Sequence, residues 1–513
     1  MPKNEGLKSY HIGNKRDTIS ACRSWVNSLK DRCKSYCPNA FFNWCKNTDK
    51  SFFPSISMKE PKSLFLSEDS LGIVTDFYQL TMAAGYFEHG MHDIATFEFY
   101  IRHLPENRSY IITAGLEQVL HYLTHIRFSP EAIRFIRKQP AFSHVGDAFF
   151  AYLKKFAFSG DVFAVPEGTI VFAEEPILRV TAPIIEAQIV ETYLLSTINF
   201  QSSIATKASR VVYASRGRDV IDFGTRRAHG PQAGILAARA CFIGGCKSTS
   251  NVFAAYELDI PPAGTIAHSW VMVFENEAES FRKYHETFPD DTALLIDTYD
   301  TLAGAKHAAA IGEKLKGVRI DSGNLLELSK EVRKILNSQR MHHVKIIASG
   351  DLNEERIDDL LRNGAPIDSF GVGTEMVTSK DAPALGGIYK LVEQEHDGKP
   401  VPKMKFSKDK LTYPYKKQVY RRIDKDTHFV GDIIGLENEQ GDSIPLLIQV
   451  VKGGEICYAL PALQEIQNNA LCNIVKLPEP YKRLRNAETY PVKKSQALEA
   501  KKREAEQLLR RNN

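Results

Sequence analysis

Apolar positions along the chain follow one dominant rhythm between about 218 and 376. A short apolar run ends in polar residues, and a helical stretch follows. The runs lie at 220–225 (VIDFGT), 265–269 (TIAHS), 293–298 (ALLIDT), 318–322 (VRIDS), 344–349 (VKIIAS) and 369–374 (SFGVGT). Leu325, Leu328, Val332 and Leu336 mark one face of a helix over 325–336. Asn353-Glu354-Glu355 opens another helix, which ends at Gly364 as a left-handed cap. Short strands alternating with helices predict parallel βα units. Six such units without a long gap predict a barrel or barrel-like sheet rather than a small open one.

The flanking segments read differently. Thr75 or Asp76 is placed to cap a helix through Tyr78, Leu80 and Met82, and 96–102 (TFEFYIR) alternates as a strand. Thr113 is expected to open a helix with Leu116, Val119, Leu120 and Leu123 on its apolar face. Ser129-Pro130-Glu131 combines a cap, a first-position proline and a first-turn acid. Residues 160–183 read as strands and turns, 184–215 as a long helical stretch, and 419–458 as β-like runs with turns. Residues 1–60 lack sustained periodicity and read as a poorly ordered basic extension, with Met58 as an alternative start. The last 21 residues read as a charged helical tail.

Composition is that of a folded globular chain, with 43% hydrophobic and 25% charged residues. The net charge of +4 is unevenly placed. Residues 1–60 carry 11 basic against 5 acidic residues and 493–513 carry 7 against 3, so the span between them sums to −6. A mildly acidic body argues against nucleic-acid binding. No run of 18 apolar residues exists, so no membrane span is expected, and neither a secretory signal nor a transit peptide is read at the N-terminus. The eight cysteines, four of them at 22, 33, 37 and 45, lack a zinc spacing. They are expected as free thiols in a reducing cytoplasm.

In parallel barrels, functional residues gather where strands end. Here those positions hold Arg226 and Arg227, His268, Asp297, Arg319 with Asp321, Ser349-Gly350-Asp351, and Gly371-Val372-Gly373-Thr374. One charged residue after a strand is ordinarily just solvated; six consecutive strand ends of this kind point to a site. Backbone amides around Gly350 and Gly373, with the Thr374 hydroxyl, suit a phosphate cradle, although turn glycines give the same pattern. Arg319 and Asp321 share one strand face, offering a cation for phosphate or an aromatic ring and a carboxylate for a ribose hydroxyl or a metal. An ion pair within the strand is the plainer reading. His268 suits nucleophilic or acid–base work.

The segments FGTRRAHGPQAG (223–234), GGCKSTSN (244–251), GTIAHSW (264–270), LLIDTYDT (294–301), GVRIDSGNL (317–325), IASGDLNE (347–354) and SFGVGTEM (369–376) resemble the nicotinate phosphoribosyltransferase family, as does TDFYQLTMAAGYF (75–87). The resemblance runs in order over roughly 70–480. It implies an α/β fold: an irregular (β/α) barrel of the type II phosphoribosyltransferases over 216–399. A second α+β domain would be built from 61–215 and 400–490, with 491–513 as the helical tail.

The implied reaction joins nicotinate to phosphoribosyl pyrophosphate, giving nicotinate mononucleotide and pyrophosphate for NAD biosynthesis. ATP hydrolysis is coupled through a phosphohistidine, here His268, in a ligase-type enzyme. By resemblance Tyr78, Arg226, Thr265 and Arg319 contact the pyridine substrate. Gly350, Gly373 and Thr374 hold the ribose phosphate, and Asp297 and Asp321 lie near the ribose and Mg²⁺. A nicotinamide-using enzyme carries an acid near the segment matching Ser248-Thr249-Ser250; this chain has hydroxyls there, which favours nicotinate. The family also implies a homodimer in which Tyr78 reaches the neighbouring barrel, in the cytoplasm, without nucleic-acid or membrane partners. Residues 1–57 and the basic tail have no counterpart in the motifs. A nicotinamide- or quinolinate-using relative, or a non-catalytic metabolite-binding homologue, are the competing readings.

Overall fold

The computed structural model describes residues 64–512 apart from 107, 406–411, 440 and 442. The expectations for 1–60, for Met58 and for the four N-terminal cysteines lie outside the described residues. Cys241, Cys246, Cys457 and Cys472 are free thiols. No described helix is long and apolar enough to cross a membrane.

The repeating segment forms a six-stranded parallel sheet. Around it the strands run Ser248–Thr249, Asp219–Asp222, Ser369–Val372, Lys345–Ala348, Leu315–Ile320 and Thr292–Leu295. That order follows the chain around a curled half-barrel, which stays open between its first and last strands. Val220, Leu294, Val318, Ile320, Ile346, Phe370 and Val372 are all buried and form the core with the flanking helices. Five of the six expected runs are strands of this sheet. The run at 265–269 is not: it is a loop that turns into the short helix His268–Val273. It holds one buried apolar residue, Ile266, and follows Pro261-Pro262, so no ladder forms. The two-residue strand Ser248–Thr249 takes the remaining place in the sheet.

A seven-stranded antiparallel sheet gathers Lys399–Pro402, Gly387–His396, Ile94–Ile101, Pro176–Pro183, Asp161–Ala164, Ile448–Lys452 and Glu455–Ile456, in that order. The strand Gly387–His396, read above within the barrel segment ending at 399, pairs with Ile94–Ile101 and so belongs to this sheet. A smaller sheet of Ile444–Pro445, Lys417–Ile423, Phe429–Leu436 and Val492–Lys494 lies beyond it in the chain.

Two helices, Ile184–Ile189 and Glu191–Ala214, form the long helical stretch, and the second is buried along most of its length. Ser129 caps Pro130–Arg137 by accepting from the Ala132 amide at 3.2 Å. Thr113 does not cap Leu116–His125: Gly115, with φ +104°, takes that place, and the Thr113 hydroxyl donates to the Pro166 carbonyl. Asp76 stands before Phe77–Glu88, but its carboxylate accepts from the Thr192 hydroxyl instead of capping. The tail forms the helix Gln496–Asn512, anchored by buried Leu498 and Ala505 and by a bond from the Tyr413 hydroxyl to Glu499.

Candidate active site

Where the parallel strands end, two adjoining cavities open, one of about 510 Å³ and one of about 230 Å³. Both are walled by Phe223, Arg226, Arg319 and Asp321. The larger continues to Ser250, Thr265 and His268, and the smaller to Ser349, Gly350, Asp351, Gly373 and Thr374. Of the expected site residues, these therefore come together. Another cavity, of about 780 Å³, is lined by Arg216, Asp358, Arg362 and Arg485. Its ions pair with one another, and it holds no strand-end chemistry.

Arg319 stands at the junction of the two cavities. Its Nε donates to Ser349 Oγ at 2.7 Å, Nη1 to Thr265 Oγ1 at 2.9 Å and Nη2 to Asp321 Oδ1 at 2.6 Å. Its guanidinium also lies 5.2 Å from the centre of the Phe223 ring. Burial alone would raise the Asp321 carboxyl. The Ser349 hydroxyl and the Arg319 charge outweigh that effect and hold it below the usual carboxylate range, so it is ionised at neutral pH.

Asp297 Oδ2 accepts from the Asp321 amide at 3.0 Å and from Ser322 Oγ at 2.6 Å. Its Oδ1 is buried without a partner. A hard cation such as Mg²⁺ takes carboxylate oxygens, and this open oxygen fits one. Asp321 fits less well, because its Oδ1 already accepts from Arg319 and Ser349.

Glycine is required at two places. Gly350 has φ +90°, and a Cβ there would meet the Asp321 carbonyl oxygen at 1.9 Å. At Gly371 a Cβ would meet the Phe223 ring at 2.3 Å, so this glycine seats the aromatic wall rather than a phosphate. Arg226 and Arg227 lie on the exposed turn Thr225–Arg227, and neither guanidinium is paired among the described residues. His268 Nδ1 lies 3.1 Å from Thr298 Oγ1.

Two functional residues escaped the sequence reading. Phe223 is one. The other is Asp222, which is buried and accepts from the Gly224 amide at 2.8 Å and from Thr249 Oγ1 at 2.7 Å. Burial pushes its carboxyl up despite those bonds. It fixes the turn that carries Phe223 and Arg226. Its place before Phe-Gly, with a threonine one strand away, was the available signal. Thr249 thus spends its hydroxyl on Asp222, and of the three hydroxyls at 248–250 only Ser250 lines the cavity. Tyr78 lies on Phe77–Glu88, is 48% exposed and lines neither cavity of this chain.

A parallel half-barrel whose strand ends carry an ionised carboxylate, unpaired arginines and a glycine-lined pocket beside an aromatic wall defines a phosphate-handling α/β-barrel enzyme. Family models described as the nicotinate phosphoribosyltransferase (NAPRTase) N-terminal domain, the nicotinate phosphoribosyltransferase (NAPRTase) family and the nicotinate phosphoribosyltransferase C-terminal domain match residues 73–199, 219–412 and 442–502. The chain belongs to the nicotinate phosphoribosyltransferase family. It is 42% identical over 428 residues to a nicotinate phosphoribosyltransferase of Mycobacterium tuberculosis, covering 82% of this chain and 90% of that one. The Bacillus subtilis nicotinate phosphoribosyltransferase is 38% identical over 459 residues, covering 83% and 93%. The crystal structure of human nicotinic acid phosphoribosyltransferase is similar with a TM-score of 0.73 and 27% identity, over 83% of this chain and 98% of that one. A nicotinate-nucleotide pyrophosphorylase from Pyrococcus furiosus is similar with a TM-score of 0.67 and 27% identity, over 81% and 99%.

Proposed function

We propose that the cleft transfers the phosphoribosyl group of phosphoribosyl pyrophosphate to the ring nitrogen of nicotinate, in NAD biosynthesis. The nitrogen lone pair forms the new bond to C1 of the ribose, and the C1–O bond breaks with its electron pair leaving on pyrophosphate. The observation that carries this reading is the Arg319 fork, held by Thr265, Ser349 and Asp321 against Phe223 at the junction of the larger and the glycine-lined cavity. The transition state places positive charge on the ribose ring and negative charge on the leaving group. Ionised Asp321 suits the first, and the unpaired Arg227 guanidinium suits the phosphates, while Arg226, which also walls the larger cavity, serves the nicotinate. Gly350, Gly373 and Thr374 line the pocket assigned to the ribose phosphate. The flat pyridine ring takes the Phe223 side, with Thr265 and Ser250 beside it.

Further features belong to the same reading. Asp297 would hold Mg²⁺ through its unpartnered oxygen, with Asp321 as the weaker second ligand, and the ion would supply positive charge to the pyrophosphate. ATP is the co-substrate, and His268 is the residue phosphorylated; Thr298 on Nδ1 leaves Nε2 as the ring nitrogen for that chemistry. Tyr78 acts from a second copy of the chain in a homodimer. Exposed Val252, Phe253, Tyr256, Met272 and Val273 beside the cleft support that assembly. The four free thiols support a cytoplasmic location.

Nicotinate is favoured over nicotinamide because position 250 presents a hydroxyl and not a carboxylate to the ring cavity, and the carboxylate that does line it, Asp321, is paired with Arg319. An anionic acid is repelled by a carboxylate and accepted by hydroxyl and guanidinium donors. Separate steady-state assays with nicotinate and nicotinamide test this. The expected kcat/KM ratio is at least about 100-fold in favour of the acid, and preference for the amide would refute the assignment of Ser250.

A further inference from the structure

The two segments that line the glycine-lined cavity lead into an ionic cluster, buried except at Asp381, that the transfer chemistry does not use. Its acids are Glu354, at the start of the helix Glu354–Arg362, and Asp381. Glu354 follows the loop of Ser349, Gly350 and Asp351 by three residues, and Asp381 follows Thr374 by seven. Glu354 therefore ends the loop 349–353, and Asp381 sits in the turn that follows the short helix Thr374–Val377, so each acid is joined to one of the two segments that line the cavity.

Its cations come from elsewhere in the fold. Lys207 and Arg210 sit one turn apart on the buried helix Glu191–Ala214, and Arg108 lies in the loop after Ile94–Ile101. The Lys207 ammonium contacts both acids, Glu354 Oε2 at 2.5 Å and Asp381 Oδ1 at 2.8 Å. Arg108 grips Asp381 with two bonds of 2.8 Å and approaches Glu354 at 3.8 Å. Arg210 Nε reaches Glu354 Oε1 at 3.1 Å, and its Nη2 donates to the Leu484 carbonyl. The side chains of Arg108, Lys207, Arg210 and Glu354 are no more than 3% exposed.

Burial alone would raise both acids. Arg108 and Lys207 hold Asp381 well below the usual carboxylate range, and Lys207 and Arg210 do the same for Glu354. Both are charged at any working pH, so three cations face two anions and one positive charge is left over. Stability alone does not call for such a cluster, because well-packed apolar residues often replace buried ion pairs at no loss. An ionic cluster does what apolar packing cannot: it fixes two separate segments to one point with directional bonds.

We propose that Lys207 is a positioning residue that ties the loop 349–353 and the helix-and-turn segment 373–381 to the helix Glu191–Ala214 and so preforms the pocket for the donor's phosphate. Arg108 and Arg210 complete the anchor. The inference rests on the phosphate role given to these segments above. A preformed pocket avoids the ordering cost of binding, so its loss falls on the affinity for the phosphorylated donor; the ring cavity is spared because Ser349, which accepts from Arg319, stays held to the sheet by its own amide, which donates to the Ile320 carbonyl at 2.9 Å.

Lys207→Met keeps the length of the side chain and removes its charge. With full-length protein, the expected result is a KM for phosphoribosyl pyrophosphate raised about tenfold, with kcat and the KM for nicotinate within about twofold of wild type. Hydrogen–deuterium exchange of peptides covering 349–353 and 373–381 should rise in both segments together. Lys207→Arg, which retains the charge, should recover most of the donor KM. If Lys207→Met does not fold, Asp381→Asn at the more exposed end of the cluster should loosen 373–381 and raise the donor KM by itself. A folded Lys207→Met or Asp381→Asn protein with a lower melting temperature, but with wild-type donor KM and wild-type exchange in the two segments, overturns the proposal. The exchange readout needs no substrate. Failure of the wild-type protein to use nicotinate would therefore count against the assigned reaction, while the exchange data still decide the anchoring role.

Discussion

Arg319 serves three oxygens from three different segments and an aromatic face at once. Only a planar fork with several fixed donors does this; an ammonium is a single point charge. Arg319→Lys is accordingly expected to lower kcat/KM for both substrates by about 100-fold, or about 2.7 kcal/mol, in steady-state assays. Near-wild-type kinetics would show that the fork does not organise the cleft. The shared face of Arg319 and Asp321 was legible, because alternation along one strand is a local property. The stacking of Arg319 on Phe223 was not. Their strands, Leu315–Ile320 and Asp219–Asp222, are separated in the sheet by Lys345–Ala348 and Ser369–Val372, and only the curl brings the side chains together. Gly371 shows the same limit. The Gly-x-Gly-Thr pattern suggested a phosphate cradle, whereas the space at Gly371 is taken by the Phe223 ring.

At the scale of elements, the seven-stranded sheet and the smaller mixed sheet meet at a buried acid pair. Glu175 precedes the strand Pro176–Pro183, and Asp432 lies in Phe429–Leu436, bound to Arg421 and to the Tyr490 hydroxyl. One Glu175 oxygen accepts from the Phe172 amide, and the other is buried without a donor. Burial and the neighbouring Asp432 push the Glu175 carboxyl well above the usual carboxylate range. The folded chain therefore keeps a proton that the unfolded chain releases. Stability from this group is present at low pH and is lost as pH rises from the ordinary carboxylate value through the raised folded one. Glu175→Gln supplies a neutral donor and should flatten that decline. It should stabilise the protein at pH 8 by on the order of 1 kcal/mol or more, read as a higher melting temperature. An unchanged pH profile would mean that Glu175 is ionised in the fold. Long elements of this kind were legible from periodicity. Short ones were not: two residues at Ser248–Thr249 form a strand, and five at 265–269 do not.

For the whole molecule, the order of the βα units announced the parallel sheet, because each unit carries its own apolar run and helix. The grouping of Gly387–His396 with Ile94–Ile101 was hidden, since pairing between distant segments leaves no local mark. The half-barrel is open, and its cleft is rimmed by Arg226, Arg227 and His268, with the glycine-lined cavity on one side and the larger cavity on the other. The central claim is that this cleft joins nicotinate to the ribosyl donor and draws on ATP through His268. Its most direct test is quantification of nicotinate mononucleotide made from nicotinate, phosphoribosyl pyrophosphate and Mg²⁺, with and without ATP, by wild-type protein and by His268→Asn. The account predicts product from the wild type in both conditions, more with ATP, and an ATP-independent residual rate from His268→Asn. No nicotinate mononucleotide from the wild type, or undiminished ATP stimulation in His268→Asn, would contradict it.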